Sequence, residues 1–176
     1  LGLDTGHVGF VLMSVMAWGS LYGLYRWPRN ELDTVISPGE WRAWIGTLFM
    51  AMLTLYMLAA AYASKGASLA ESPYAGRVGG NVAMMFIAWI VVFSVLEKRW
   101  QGQVQEDERD REINRIAASW GSGALAVTII GIAVMLGLSP AEKLVWAKPP
   151  MIAHMLIFSL LWGSLVQCAV SAILYW

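Results

Sequence analysis

Charged residues are absent from five long stretches of this chain, and that absence constrains its fold more than any other feature. Val8–Tyr25, Ala43–Ala63, Val78–Leu96, Ala117–Leu138 and Met151–Trp176 contain no Asp, Glu, Lys or Arg. All 12 basic and all 12 acidic residues lie between those stretches or in the N-terminal tail. Each stretch is close to the ~20 residues a helix needs to cross a bilayer core. In lipid only helices and closed barrels satisfy their backbone groups, and uninterrupted runs of this length exclude the alternating pattern of a barrel strand. The pattern therefore predicts an all-α, polytopic membrane bundle forming a single domain over residues 1–176. Its five transmembrane helices are expected at about 8–25, 43–63, 78–96, 107–138 and 151–176, the fourth with a cytoplasmic extension.

Composition agrees: 58% of the residues are hydrophobic and 14% charged, with ten Trp and ten Met. The formal net charge of zero offers nothing to nucleic acid. The lone Cys168 excludes an intramolecular disulfide and any cysteine-based metal cluster, and reads as a small apolar packing residue. No cleavable signal peptide is expected, because the N-terminal tail carries Asp4 and no basic residue.

Basic residues set the expected orientation. The segments after the first and third stretches carry Arg26, Arg29 and Arg42, and Lys98, Arg99, Arg109, Arg111 and Arg115. The other two connections carry Lys65 and Arg77, and Lys143 and Lys148. Eight against four places the first pair in the cytoplasm, the N-terminus outside and the C-terminus inside. Trp27, Trp41, Trp44, Trp100, Trp120, Trp146 and Trp176 fall near predicted helix ends, as rings anchored at headgroup level do.

The connections contain readable helix signals. Ser37-Pro38-Gly39-Glu40 has the form of a capping box leading into the second stretch. Ser139-Pro140-Ala141-Glu142 repeats it and predicts a short external helix ending near Lys148, where Pro149-Pro150 breaks the chain and restarts it as the last helix. The segment Ser64–Asn81, with Pro73, Gly76, Gly79 and Gly80, reads as a long external loop.

One cytoplasmic segment stands apart. Residues 106–113 open with acids and move on to bases, the order a helix dipole favours. Asp107 and Glu108 can each pair with Arg111 along the helix surface. Ile113, Ile116, Ala117, Trp120 and Ala124 continue the helical period into the fourth stretch, predicting one helix from about Asp107 to Leu138. Two readings remain open for Asp107, Glu108, Arg109, Asp110, Arg111 and Arg115. They form either a solvated helix end that fixes topology, or a docking surface for another subunit or protomer.

The run Asp107-Glu108-Arg109-Asp110 followed by Ile113, before an apolar pair ending in Ile173-Leu174-Tyr175, resembles a family of small uncharacterised bacterial membrane proteins. In that family a DERDxxI-type motif sits in the cytoplasmic loop before the last two membrane helices. The resemblance covers roughly residues 87–176 and implies a bacterial inner-membrane location. It implies no reaction or ligand.

Small residues mark the expected packing faces. Gly19 and Gly23 permit close backbone approach by the first helix, and Ser159, Gly163, Gln167 and Ser171 form a stripe along the last. That stripe could instead line a small pore or a headgroup cleft. His7 and His154 are both expected at the outer face, with Met151 and Met155 beside His154 on one helix side. This set suits a soft ion such as copper, and two imidazoles can also hold a haem b iron. The alternative is interfacial histidines bonded to water, headgroups or backbone, with no cofactor. No nucleophile motif, metalloprotease motif or phosphate loop is present. The preferred reading is a non-enzymatic accessory or structural subunit, working with other membrane subunits or as a homo-oligomer in the lipid bilayer. A transporter or channel for an uncharged or lipidic solute, and a haem or copper electron-transfer subunit, are the alternatives.

Overall fold

A computed structural model describes residues 11, 14, 15, 17–19, 22, 26, 37–63, 75–100, 108–145 and 147–176. Among them the structure is helical: α1 (Pro38–Ala63), α2 (Ala75–Trp100), α3 (Glu108–Leu138) and α4 (Pro149–Tyr175), with one 3-10 turn at Ala141–Lys143. These four helices correspond to the second to fifth apolar stretches. The described positions of the first stretch, from Val11 to Tyr22, are also helical, as is Arg26 just after it.

Among the described residues, three helices are long and apolar enough to cross a membrane: Gly39–Tyr62, Glu108–Leu138 and Met151–Tyr175. This is fewer than the five spans expected from the charge-free stretches. Helix α2 has a shorter apolar run, Gly80–Val95, because Gly and Asn occupy its first turns and Glu97, Lys98 and Arg99 its last.

Local chemistry explains where the helices begin. At α1 the Glu40 backbone N–H donates to Ser37 Oγ at 3.1 Å, and Trp41 N–H to the Ser37 carbonyl at 3.1 Å, so the predicted cap forms. At α4, Lys148 is extended (φ −72°, ψ 150°), as a residue before proline must be, and the prolines fill the first helical positions where no N–H is needed. Two expectations are corrected. The helix anticipated between Ser139 and Lys148 is only the turn Ala141–Lys143, closed by Lys143 N–H to the Pro140 carbonyl at 2.9 Å. The long loop is shorter than expected, since α2 begins at Ala75 and takes in Gly76, Gly79 and Gly80.

Helix α4 is the common partner, with its broadest contacts to α3 and α1. Gly39 lies against Tyr175 and Gly46 against Cys168, so seven residues forward on α1 match seven back on α4. The two helices are therefore antiparallel in constant register. On α4's other side, Gly121 of α3 meets Gly163 and Gln167, and Asp110 meets Tyr175, again antiparallel. Helix α2 lies on α1 through Phe49, Trp89 and Phe93, with ring centroids 5.4 and 4.1 Å apart. The apolar core joins Met50, Leu53, Tyr56, Met57 and Ala60 of α1 to Met85 of α2 and Leu161 of α4. A smaller cluster of Ile45, Phe49 and Val92 extends it along α1 and α2.

In a bilayer the lipid is as apolar as the core, so helices associate through shape and close approach. Buried hydroxyls are satisfied within their own helices: Thr54 Oγ1 donates to the Met50 carbonyl at 2.7 Å and Ser159 Oγ to the Met155 carbonyl at 2.7 Å. Such serines and threonines pack as small residues. Across helices, Asn81 Nδ2 donates to the Tyr56 hydroxyl at 2.9 Å.

The α3–α4 contact rests on two glycines. A Cβ on Gly121 would stand 2.9 Å from the Gly163 carbonyl oxygen and 2.7 Å from Gln167 Cβ, neither of which can rotate away. On the outer side of α3, Gly123 has nothing within 4 Å of that position. Replacing Gly by Ala gains about 1 kcal/mol of helix propensity at either site, but overpacking costs roughly 1–3 kcal/mol where the neighbours are fixed. Gly121→Ala is therefore expected to lower the thermal stability of the detergent-solubilised protein, while Gly123→Ala leaves it unchanged or raised. Equal behaviour of the two variants in a melting assay would contradict the glycine contact.

Candidate functional site

The antiparallel order brings the start of α1, the end of α2, the start of α3 and the end of α4 to one end of the bundle. This end holds most of the described charge. Tyr175, in the last turn of α4, organises it. Its ring packs on the Gly39 backbone, where an added Cβ would come within 2.7 Å of Cζ, so only glycine leaves room. Its hydroxyl donates to Asp110 Oδ1 of α3 at 2.9 Å, across 65 residues of chain. One side chain thus ties α4 to both α1 and α3.

Two arginines adjoin the clamp along the chain: Arg42 lies one turn into α1 from Gly39, and Arg109 precedes Asp110 on α3. The Arg42 guanidinium also lies 5.9 Å over the Phe93 ring of α2, a cation–π contact that orients it. Neither arginine has an ion-pair partner among the described residues. One turn further along α3, Arg115 donates to both carboxylate oxygens of Glu112 at 2.6 and 2.8 Å. Those hydrogen bonds draw the Glu112 carboxyl below its ordinary value. Both side chains are largely exposed and precede the apolar part of α3, so water screens the pair.

The residues singled out from sequence fall in three places. In the charged segment, Glu108, Arg109, Arg111 and Arg115 are exposed and Asp110 is half-buried. Asp107, and with it the expected Asp107–Arg111 pair, lies outside the described residues. The ion pair whose geometry is defined is Glu112–Arg115, one turn later than anticipated. In the α4 stripe, Ser159, Gly163 and Ser171 are buried, with Gly163 against Gly121 and Leu125. Gln167 sets its Cβ against Gly121 but is exposed overall. Gly19 has nothing within 4 Å of a Cβ position, and Gly23 lies outside the described residues.

At the opposite end, Met151, His154 and Met155 are half-buried in the first turns of α4. His7 lies outside the described residues, so its distance from His154 is not defined. Among the described residues no group of three or more His, Cys, Asp or Glu could hold a metal ion.

Periodicity missed Gly39, Arg42, Gly121 and Tyr175 as a set. Arg42 counted only as a positive charge and Tyr175 only as a helix-end residue. The available signal was positional: a tyrosine at the end of the last helix, level with a glycine that begins another. Comparison with protein-family models, curated proteins and solved structures finds no match for this chain.

The clamp separates into ring packing and hydrogen bond. Tyr175→Phe keeps the ring on Gly39 and should cost about 0.5–1.5 kcal/mol, the net worth of one intramolecular hydrogen bond. Tyr175→Ala, which also empties the site, should cost several times that, about 3–5 kcal/mol as for a large aromatic truncation. In a double-mutant cycle, Asp110→Ala should add little once Tyr175→Phe is present. Full additivity in thermal unfolding would show that the two groups do not bond.

Proposed function

We propose that this chain is a non-enzymatic accessory or structural subunit of a bacterial inner-membrane assembly. In this reading it crosses the membrane five times, with the N-terminus outside and the clamp end in the cytoplasm. The loop charge pattern supports the orientation, and the resemblance of the Asp107–Ile113 segment supports the bacterial setting.

The observation that carries the reading is the form of α3. It runs unbroken from exposed charged turns into an apolar segment, and only 11% of its most apolar window is buried inside the bundle, against 56% for α1. A helix fastened along one narrow stripe, formed by Ile113, Ala117, Gly121 and Ile132, presents most of its surface to something else. In the membrane that is lipid or another subunit. Beyond it, Glu108, Arg111, Glu112 and Arg115 form a surface of alternating charge suited to a protein partner.

The test is native mass spectrometry after mild solubilisation, comparing wild type with Arg111→Glu/Arg115→Glu. The wild type should carry a stoichiometric partner or second copy that the charge-reversed variant loses while still inserting. Insertion is checked by impermeant thiol labelling in a Cys168→Ala background, where Ser68→Cys should react in intact cells and Asp107→Cys should not. A monomeric wild type with no partner would overturn the subunit reading. A Soret band or stoichiometric copper in the same preparation, lost on His154→Ala, would replace it with the redox one.

A further inference from the structure

Helix α4 is packed by α1 on one side and α3 on the other, yet only 28% of its most apolar window is buried. Leu156, Leu160, Gln167 and Leu174 are all exposed, and they follow one another four, seven and seven residues apart. That spacing draws a single line along the helix, since positions seven apart drift by only ~20°. Three leucines and one glutamine share it.

Gln167 is out of place on a lipid-facing line. It lies within the apolar span Met151–Tyr175, eight residues before Tyr175, or about 12 Å from the clamp end at ~1.5 Å per residue. On α3 it is level with Gly121, six residues past Arg115, the last charged residue of that helix. Both measures put its amide at the depth of hydrocarbon. Its Cβ rests on Gly121, but the residue as a whole is exposed, so neither neighbouring helix encloses it. Ser164, three residues earlier, donates its hydroxyl to the Leu160 carbonyl of its own helix at 3.0 Å. Acyl chains offer an amide neither donor nor acceptor, and leaving it unmet in hydrocarbon is costly. On α1 the exposed residues Leu48, Leu55 and Leu58 are apolar, as lipid contact requires.

The chemistry of the amide selects what covers it. A primary amide is its own complement, donating through nitrogen and accepting through oxygen. Around a twofold axis along the membrane normal identical faces meet, so Gln167 of one copy reaches Gln167 of the other at the same depth. A leucine line interrupted by one polar residue is also the pattern that fixes register and number in paired helices.

We propose that α4 pairs with α4 of a second copy along Leu156, Leu160 and Leu174, with the two Gln167 amides hydrogen-bonded to each other. The inference rests on the membrane-subunit reading above and adds to it the surface through which two copies meet. The charged turns of α3 are left to another partner.

The full-length protein carrying Cys168→Ala is oxidised in native membranes with single cysteines placed along α4. Leu160→Cys and Leu174→Cys should give disulfide-linked dimers of differently tagged copies, because a twofold seam brings equivalent positions within disulfide reach. Trp162→Cys and Ile173→Cys, exposed on the opposite side of α4, should not. This pattern is read with Gln167 in place, so it stands whether or not a Gln167 variant folds. In vesicles of phosphatidylcholine and phosphatidylglycerol, energy transfer between labelled copies on dilution measures the dimer constant. Hydrogen bonds between membrane helices are modest, so Gln167→Leu should weaken the dimer roughly tenfold. Gln167→Asn, which keeps an amide, should weaken it less.

Disulfides absent at Leu160 and Leu174, or equally frequent at all four positions, would overturn the proposal. So would a Gln167→Leu dimer as tight as the wild type. A stoichiometric partner of another sequence, with no linkage between copies, would overturn it while sustaining the subunit reading. A monomer without any partner would end both.

Discussion

Helix α4 is the constraint on which the rest of the bundle depends. Helix α1 packs on one side of it and α3 on the other, both antiparallel, and α3 has no comparable partner among the described residues. Lipid gives no hydrophobic reward for bringing apolar helices together, so what holds them is how closely their surfaces fit. Along α4 the fit has two forms. At Gly163 it is backbone against the backbone of Gly121; at Leu161 it is a side chain buried among Met50, Leu53 and Met57. Polar bonding across helices is sparing by comparison, because the hydroxyls of Thr54, Ser159 and Ser164 turn back onto their own helices.

The end of α4 then sets the chemistry. A residue in the last turn of a shared helix is the one place from which a side chain can reach both neighbours, and Tyr175 does so with its ring on one and its hydroxyl on the other. Alternation of helix direction gathers Arg42, Lys98, Arg109, Arg111 and Arg115 at that same end. The basic residues counted loop by loop thus share one end of the bundle, as the antiparallel register of α1 and α3 on α4 requires.

Features encoded within one turn of chain were legible in the sequence. The Ser37 cap, the proline start of α4 and the continuity of α3 through Ile113 and Ala117 all rest on contacts between residues three or four apart. The Ser139–Lys148 segment misled because a second capping tetrapeptide looked the same, yet Pro149 lies too near for a helix to develop beyond Ala141–Lys143. The glycines at 76, 79 and 80 suggested a loop by propensity alone, whereas α2 includes them. Contacts between helices were less legible. The α4 stripe singled out Gly163 but not its partner, since nothing local distinguishes Gly121 from the exposed Gly123 two residues on. Asp110–Tyr175 joins residues 65 apart, and helical periodicity has no term for it.

The central claim is that α4 holds α3 antiparallel, with the start of α3 beside its last turn. It is tested most directly by cross-linking in native membranes with a short bifunctional thiol reagent in a Cys168→Ala background. The pair Asp110→Cys and Tyr175→Cys should join within one molecule, and the pair Asp110→Cys and Met151→Cys, at opposite ends of the bundle, should not. Cross-linking of the second pair, or of the first only between differently tagged molecules, would contradict the architecture and with it the site at the clamp.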